Sequence, residues 1–239
     1  LAPKASDAQY IDNQRVLDAQ RRQVAVLDDE PLVAGAALAW GGSDHNVIRF
    51  RRGRDARSIP PIRIPGALTR DPLVLTNRLS DVLTTEYDGR RVSMLFVDSS
   101  GISGPVCARL RELGHSNILE VNFGANSPNP KRRYMRDHIW TELKGWLLVG
   151  AIDKDHRLEA DLQLPGLRPD SDQRIWLESK EDIKKRTEGK SPDDGDALAL
   201  TFSAPLAVVK RYKPKPKPRP RFSERRSTPG SGVGLGWMG

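Results

Sequence analysis

Asp193, Asp194 and Asp196 place three carboxylates within four positions of "GKSPDDGDALALTF", and the chain runs from them directly into an apolar stretch. Ser191 suits a helix N-cap, Pro192 the first helical position, and Asp193 and Asp194 complement the positive end of a helix dipole. Asp196 is not explained that way. It lies past the first turn, beside "ALALTF", which is apolar on every side and so belongs in the interior. Asp193 and Asp196 share one helix face three residues apart, where bare carboxylates repel, and the repulsion grows on desolvation. The pattern therefore calls for a cation. A fourth carboxylate, Asp98, closes the apolar run "MLFVD" before a Ser-Ser-Gly turn. The carboxyl end of a buried strand is where α/β sheets place their sites, although Asp98 could equally cap the next helix. Together, a strand-end aspartate and a helix-start pair point to a hard divalent cation, Mg²⁺ or Mn²⁺, on oxygen ligands.

Softer metal chemistry is not supported. Cys107 is the only cysteine, and His45, His115, His138 and His156 are scattered, which assembles neither a disulfide framework nor a zinc cluster. The sequence has no run of 18 apolar residues and no apolar signal segment near its start, so the expectation is a soluble intracellular protein with no membrane partner.

The elements that must position these acids follow from periodicity. "PLVAGAALAW" reads as a buried strand and "NVIRFRRG" as its hairpin partner, with the proline-rich "SIPPIRIPG" as an edge strand. Residues 71–87 repeat apolar positions at helical spacing. "RVSMLFVDSSG" and "SNILEVNFG" are further strands separated by the helix "GPVCARLRELG", which Gly114 closes. Downstream come a helix carrying Trp140 and Trp146, a short acidic helix, a strand at "RIWLES" and the helix of the acids. The order implies a mixed sheet of five strands with helices packed on it, over residues 31–209. Residues 1–30 read as a linker or docking helix.

The formal charge of +8 is unevenly spread. Residues 210–226, "KRYKPKPKPRPRFSERR", hold nine basic residues and one Glu, which leaves 30 basic and 30 acidic residues elsewhere. Alternating Lys-Pro excludes helix and central strand, so residues 210–239 are expected to be a flexible basic tail, either a solvated terminus or an arm for phosphates or a partner. Within the body, basic residues group at Arg49, Arg51, Arg52 and Arg54, at Lys131, Arg132, Arg133 and Arg136, and at Lys180, Lys184, Lys185, Arg186 and Lys190. Such groups are commonly solvated faces. The last lies just before the acids and is the best candidate for gripping phosphates, with Arg132 and Arg133 as further contacts. "TEGKS" is not a Walker A loop, because position 184 is Lys where that pattern needs Gly. The aromatics Phe123, Trp140, Trp146 and Trp176 are spaced as core residues rather than as base-stacking positions.

On "AGAALAWGGSDHNVIRFRRG", "MLFVDSSGISGPVCARLRELG" and above all "RIWLESKEDIKKRTEGKSPDDGDALALTF", the chain resembles the nuclease domain of phage large terminase subunits, a member of the RNase H/RuvC-like fold, over roughly residues 30–205. The resemblance implies a two-metal endodeoxyribonuclease that cuts concatemeric viral DNA, with Asp98, Asp193 and Asp196 as ligands. It also implies double-stranded DNA, an upstream ATPase domain, a portal and a small terminase subunit as partners, in the host cytoplasm. One departure matters. Where such domains carry an aspartate on the first strand, this chain has Ala37, and a methyl cannot replace a carboxylate that bridges two ions, so the resemblance also implies impaired cleavage. The ATPase motor is not in this sequence, which suggests an isolated C-terminal domain. Two alternatives remain: a non-catalytic module that binds DNA or docks on the portal, and a RuvC-like junction resolvase.

Overall fold

The structure, a computed structural model, describes residues 9–41, 44–99 and 101–206. The expected basic tail at 210–239 lies outside the described residues.

Polar helix α1 (Asn13–Arg21) is capped by Asp12, whose side chain accepts from Arg15 N. Its apolar content is small: Val16 and Ala19, with Ile11 just before the helix, are buried in the same core cluster as Trp140 and Leu158, while Leu17 is half-buried. The sheet then begins with β1 (Leu32–Ala37), β2 (His45–Arg52), the two-residue β3 (Asp55–Ala56) and β4 (Ile62–Pro65). Helix α2 (Pro72–Thr84) has Asp71 as N-cap and Pro72 in its first turn. β5 (Met94–Asp98), α3 (Ser103–Glu112), β6 (Ile118–Val121) and α4 (Met135–Trp146) follow. The chain continues through β7 (Ala151–Ile152), α5 (His156–Gln163), α6 (Lys180–Arg186) and α7 (Asp193–Leu200).

The sheet is mixed, in the order β6-β5-β1-β2-β3-β7, with β4 on β2. The five strands expected as far as "SNILEVNFG" are its longer members, β1, β2, β4, β5 and β6, and the two-residue β3 and β7 bring the total to seven. Both are too short for a periodicity to be visible in sequence. β1 pairs antiparallel with β2 and parallel with β5, and β5 parallel with β6. "RIWLES" does not form the expected strand: Ile175 and Leu177 make only isolated bridges, to Arg132 and Leu167. Its backbone is engaged by the segment before α4 and by the first turn of α4, since Ile175 N donates to Lys131 O and Leu177 N to Asp137 Oδ1.

Side-chain alternation divides the core between the two faces of the sheet. Ala34 and Ala36 of β1, with Leu95 and Val97 of β5, face α2 and α3 through Leu75, Leu79, Val106 and Leu110. Val33 and Phe96 face the opposite way, toward α4, α5 and α7. Gly35 lies on this second face, and a Cβ there would collide with the Ala197 carbonyl oxygen, so glycine lets α7 lie directly on β1. Every residue of α7 from Asp194 to Leu200 is buried. Among the described residues, no helix is long and apolar enough to cross a membrane.

Candidate active site

Ala37 and Asp98 follow the paired residues Ala36 and Val97, so they end adjacent parallel strands and share the face that looks at α7. Asp98 is 2% exposed, Asp196 on α7 is wholly buried, and a single cation lies between them: Lys180 Nζ is 3.1 Å from Asp196 Oδ2 and 3.6 Å from Asp98 Oδ2. Lys180 opens α6, where a positive charge opposes the helix dipole, and the two carboxylates offset that placement. The ammonium supplies the positive charge that the sequence pattern called for.

The remaining oxygen of Asp196 is held from α4. Trp140 Nε1 donates to Asp196 Oδ1 at 2.7 Å, and Arg136 Nε donates to the same atom at 3.2 Å. Arg136 and Trp140 are one helical turn apart on one face of α4, a spacing that could have marked them as joint partners of a buried acid. Burial would raise the Asp196 pKa, but Arg136, Lys180 and the Trp140 hydrogen bond outweigh it and hold the carboxyl below its ordinary range. Asp193 behaves oppositely. Burial pushes its pKa up, with Asp196 and Asp44 adding repulsion, against the lowering effect of a Ser191 hydrogen bond and Lys180. Burial opposes the charge on Lys180, yet Asp196, Asp98 and Asp193 together raise its pKa.

The start of α7 departs from expectation. Ser191 is not the N-cap; that residue is Pro192, and the Ser191 hydroxyl donates to Asp193 Oδ1 at 2.7 Å. The cap comes from α5, where Asp161 Oδ2 accepts from Asp194 N at 2.7 Å and Gly195 N at 3.4 Å. Asp194 is more than a dipole partner. Its oxygens accept from Arg49 Nε at 2.7 Å and from Arg63 Nε and Nη2 at 2.9 and 2.7 Å. Arg49 also reaches Asp153 and Asp155, and Arg63 reaches Asp155. Arg49 is therefore no member of a solvated face: it is 2% exposed and anchors the buried start of α7.

The expected phosphate-gripping residues are placed in several ways. Lys180 faces the acids. Lys184 Nζ is 2.6 Å from Asp44 Oδ2, which ties α6 to the loop after β1. Arg186 pairs with Glu178, Arg132 with Glu142, and Arg133 with Asp170, while Arg136 lies beneath the centre. Lys185 and Lys190 are exposed. Of the aromatics expected in the core, Trp140 is fully buried. Trp176 instead is half-buried between the Arg133 and Arg168 guanidiniums, 4.0 and 4.4 Å from its ring centre.

Whether the residues suit a divalent ion can be judged from the donors. Asp196 Oδ2 is buried and, among the described residues, accepts no hydrogen bond of good geometry, with the Lys180 ammonium 3.1 Å away. Such an oxygen beside Asp98 is a hard-cation donor set. Among the described residues, however, no three acidic, histidine or cysteine side chains already form a metal-holding group. Asp98 and Asp196 are the two oxygen donors that meet at the Lys180 ammonium, and beside them position 37 offers only a methyl, packed with Val47 and Ala197.

No protein-family description and no curated protein matches the chain. Solved structures do. The nuclease domain of the large terminase subunit gp2 of bacterial virus Sf6 superposes with a TM-score of 0.62 at 16% identity, over 82% of this chain and 99% of that one. The large terminase nuclease from thermophilic phage G20c with bound magnesium gives 0.58 at 13% identity, over 83% and 98%. The Thermus phage P74-26 large terminase nuclease domain gives 0.52 at 14%, over 77% and 86%. The fold is thus the RNase H-like one of phage large terminase nuclease domains, as the sequence motifs implied.

Proposed function

We propose that the chain is a metal-dependent endodeoxyribonuclease domain of a viral DNA-packaging terminase, impaired by alanine at position 37. The observation that carries this reading is the meeting of Asp98 and Asp196 across Lys180 at the carboxyl ends of β1 and β5, beside Ala37. The likeness in fold to terminase nucleases, one solved with magnesium and another with manganese, supports it.

Asp98 and Asp196 would hold Mg²⁺ or Mn²⁺, with Asp193 joining once it turns from Ser191. The ion would acidify a bound water for attack on a phosphodiester and neutralise the charge that develops there. Arg136 and Trp140 fix one oxygen of Asp196 and leave the other facing the Lys180 ammonium. Lys180 occupies the place an ion would take and would have to withdraw from that oxygen to admit one, which would free its ammonium for a phosphate. Exposed Lys185 and Lys190, with Lys184, Arg186, Arg132 and Arg133, would hold the duplex by its backbone. The implied partners are double-stranded DNA, an upstream ATPase domain, the portal and a small terminase subunit, in the host cytoplasm.

The test is plasmid cleavage with Mn²⁺. Ala37→Asp is expected to cut well above the parent chain, and adding Asp98→Ala to it should abolish the gain. An Ala37→Asp protein that folds, binds Mn²⁺ and still does not cut would sink the reading. A non-catalytic DNA-binding module is the second reading, favoured by the neutralisation of both buried acids by Lys180 and Arg136. It expects Asp193→Ala to leave biological function intact.

A further inference from the structure

Trp40 is 69% exposed, although it ends an apolar run that sequence reads as a buried strand. β1 stops at Ala37, and the three residues after it put the Trp40 Cα at most ~10 Å from that of Ala37, which ends its strand beside Asp98. Its backbone is fixed. Ala39 N donates to Asn46 Oδ1 at 2.8 Å, and Asn46 Nδ2 donates to Thr69 Oγ1 at 2.8 Å. Asn46 and Thr69 are both wholly buried. Gly66 N donates to Asp44 O at 2.8 Å, and a Cβ on Gly66 would stand 2.6 Å from the carbonyl oxygens of both Gly41 and Asp44. The segment leaving β1 is thereby locked to the turn at 66–69, and each carries an exposed apolar side chain beside its anchored residue: Trp40 and Leu68, the latter 66% exposed. Exposed Arg70 runs past Gly41, its Cγ 3.7 Å from the Cβ position there.

A large aromatic held out to water on an anchored backbone, with an exposed arginine against the next residue and a strand end that leads back to Ala37 and Asp98, has the chemistry of a nucleic-acid contact. The indole offers a stacking face and Arg70 a phosphate partner. We propose that Trp40 stacks on a base of DNA laid across the acidic centre, wedging into the helix there, while Arg70 contacts the adjacent phosphate. This rests on the reading of the chain as a DNA-cutting domain. Trp40 would be a positioning residue: it sets where the backbone lies against Asp98 and Asp196 and takes no part in the chemistry.

The test uses the whole 239-residue chain in EDTA, with labelled duplex DNA and the same duplex carrying one unpaired base. Trp40→Ala should weaken binding on the order of tenfold, more on the unpaired-base duplex, without changing the slope of log affinity against log salt, and Trp40→Phe should keep most of the affinity. Arg70→Ala should lower that slope by about one on both duplexes. Unchanged melting temperature for Trp40→Ala, which removes only exposed surface, confirms that the comparison is fair. Trp40→Ala binding both duplexes as tightly as the parent overturns the proposal, and so does a Trp40→Phe protein as weak as Trp40→Ala. A parent chain that binds neither duplex would overturn the nuclease reading as well, which separates the two failures.

Discussion

Ala37 and Asp98 stand side by side at the carboxyl ends of two parallel strands and look at the same helix, α7. A carboxylate at 37 would therefore stand beside Asp98 on the sheet face that α7 covers. In its place is a methyl packed on Val47 and Ala197, and the charge of the two acids is balanced by Lys180 and Arg136.

Removing Lys180 should expose the repulsion it masks. Lys180→Met leaves two buried carboxylates without their shared ammonium, and its metal-free form should lose about 1–3 kcal/mol, below the full cost of breaking a buried pair because the lysine is 24% exposed. Thermal melts with and without Mg²⁺ check this. The divalent ion should restore more stability to the variant than it adds to the parent, and an equal gain in both would show that Lys180 and the ion do not compete.

The buried guanidinium beneath α7 is a structural element of another kind. Arg49→Met strips Asp194 of one of its two arginines and Asp153 of its partner, and should destabilise by about 3–5 kcal/mol, seen as a lower urea midpoint. Arg52→Met, on the same strand but half-exposed, should stay within about 1 kcal/mol. Equal losses in the two would refute the assignment of Arg49 to the interior.

Much of this was legible in the sequence because it was written in periodicity. The runs that became β1, β2 and β5 and the buried face of α2 show it directly, as does the apolar wrap of α7. The acids Asp98 and Asp196 stood out because charge at the edge of an apolar run needs a reason. What stayed hidden were partners set by tertiary approach. Nothing local marks Arg49 as buried: "NVIRFRRG" reads as an alternating strand whose arginines face water, and only the packing of α7 against β2, with the segment leading into α5, brings Asp153, Asp155 and Asp194 to it. Asp161 accepts from Asp194 N at the start of α7 from 33 residues upstream, and Ser191, the better cap by sequence, is taken by Asp193. Trp40 looked buried because composition does not show where a strand stops.

Asp161 should give the protein a distinctive pH dependence. Burial first, and then repulsion from Asp194, push its pKa up to about 8, against the two backbone donors it caps. A carboxyl whose folded pKa lies above its unfolded value makes the folded state bind the extra proton, so its contribution is fully present below about pH 4 and is lost as pH rises toward 8. The loss is at most about 1.4 kcal/mol per pH unit. Asp161→Asn keeps an oxygen for Asp194 N and Gly195 N but cannot titrate. Urea melts between pH 5 and 9 should show the parent weakening relative to this variant as pH rises. A constant difference between the two across that range would mean Asp161 is ionised throughout.

Placing an aspartate at position 37 should carry an electrostatic penalty that a divalent ion removes. The site is 2% exposed, and its neighbours Val47 and Ala197 offer no donor, so the new carboxylate would be desolvated beside Asp98 and near Asp196. Without metal, Ala37→Asp should melt below the parent, by about 1–3 kcal/mol in stability. Because the same carboxylate completes an oxygen shell, Mn²⁺ should raise the melting temperature of Ala37→Asp far more than that of the parent. Calorimetric titration of Mn²⁺ should show tighter binding to the variant, and Ala37→Asn, which adds bulk and polarity but no charge, should reproduce neither the metal dependence nor the tighter binding. If Ala37→Asp and Ala37→Asn respond alike to Mn²⁺, position 37 is a packing site and the acids around it do not act together on an ion.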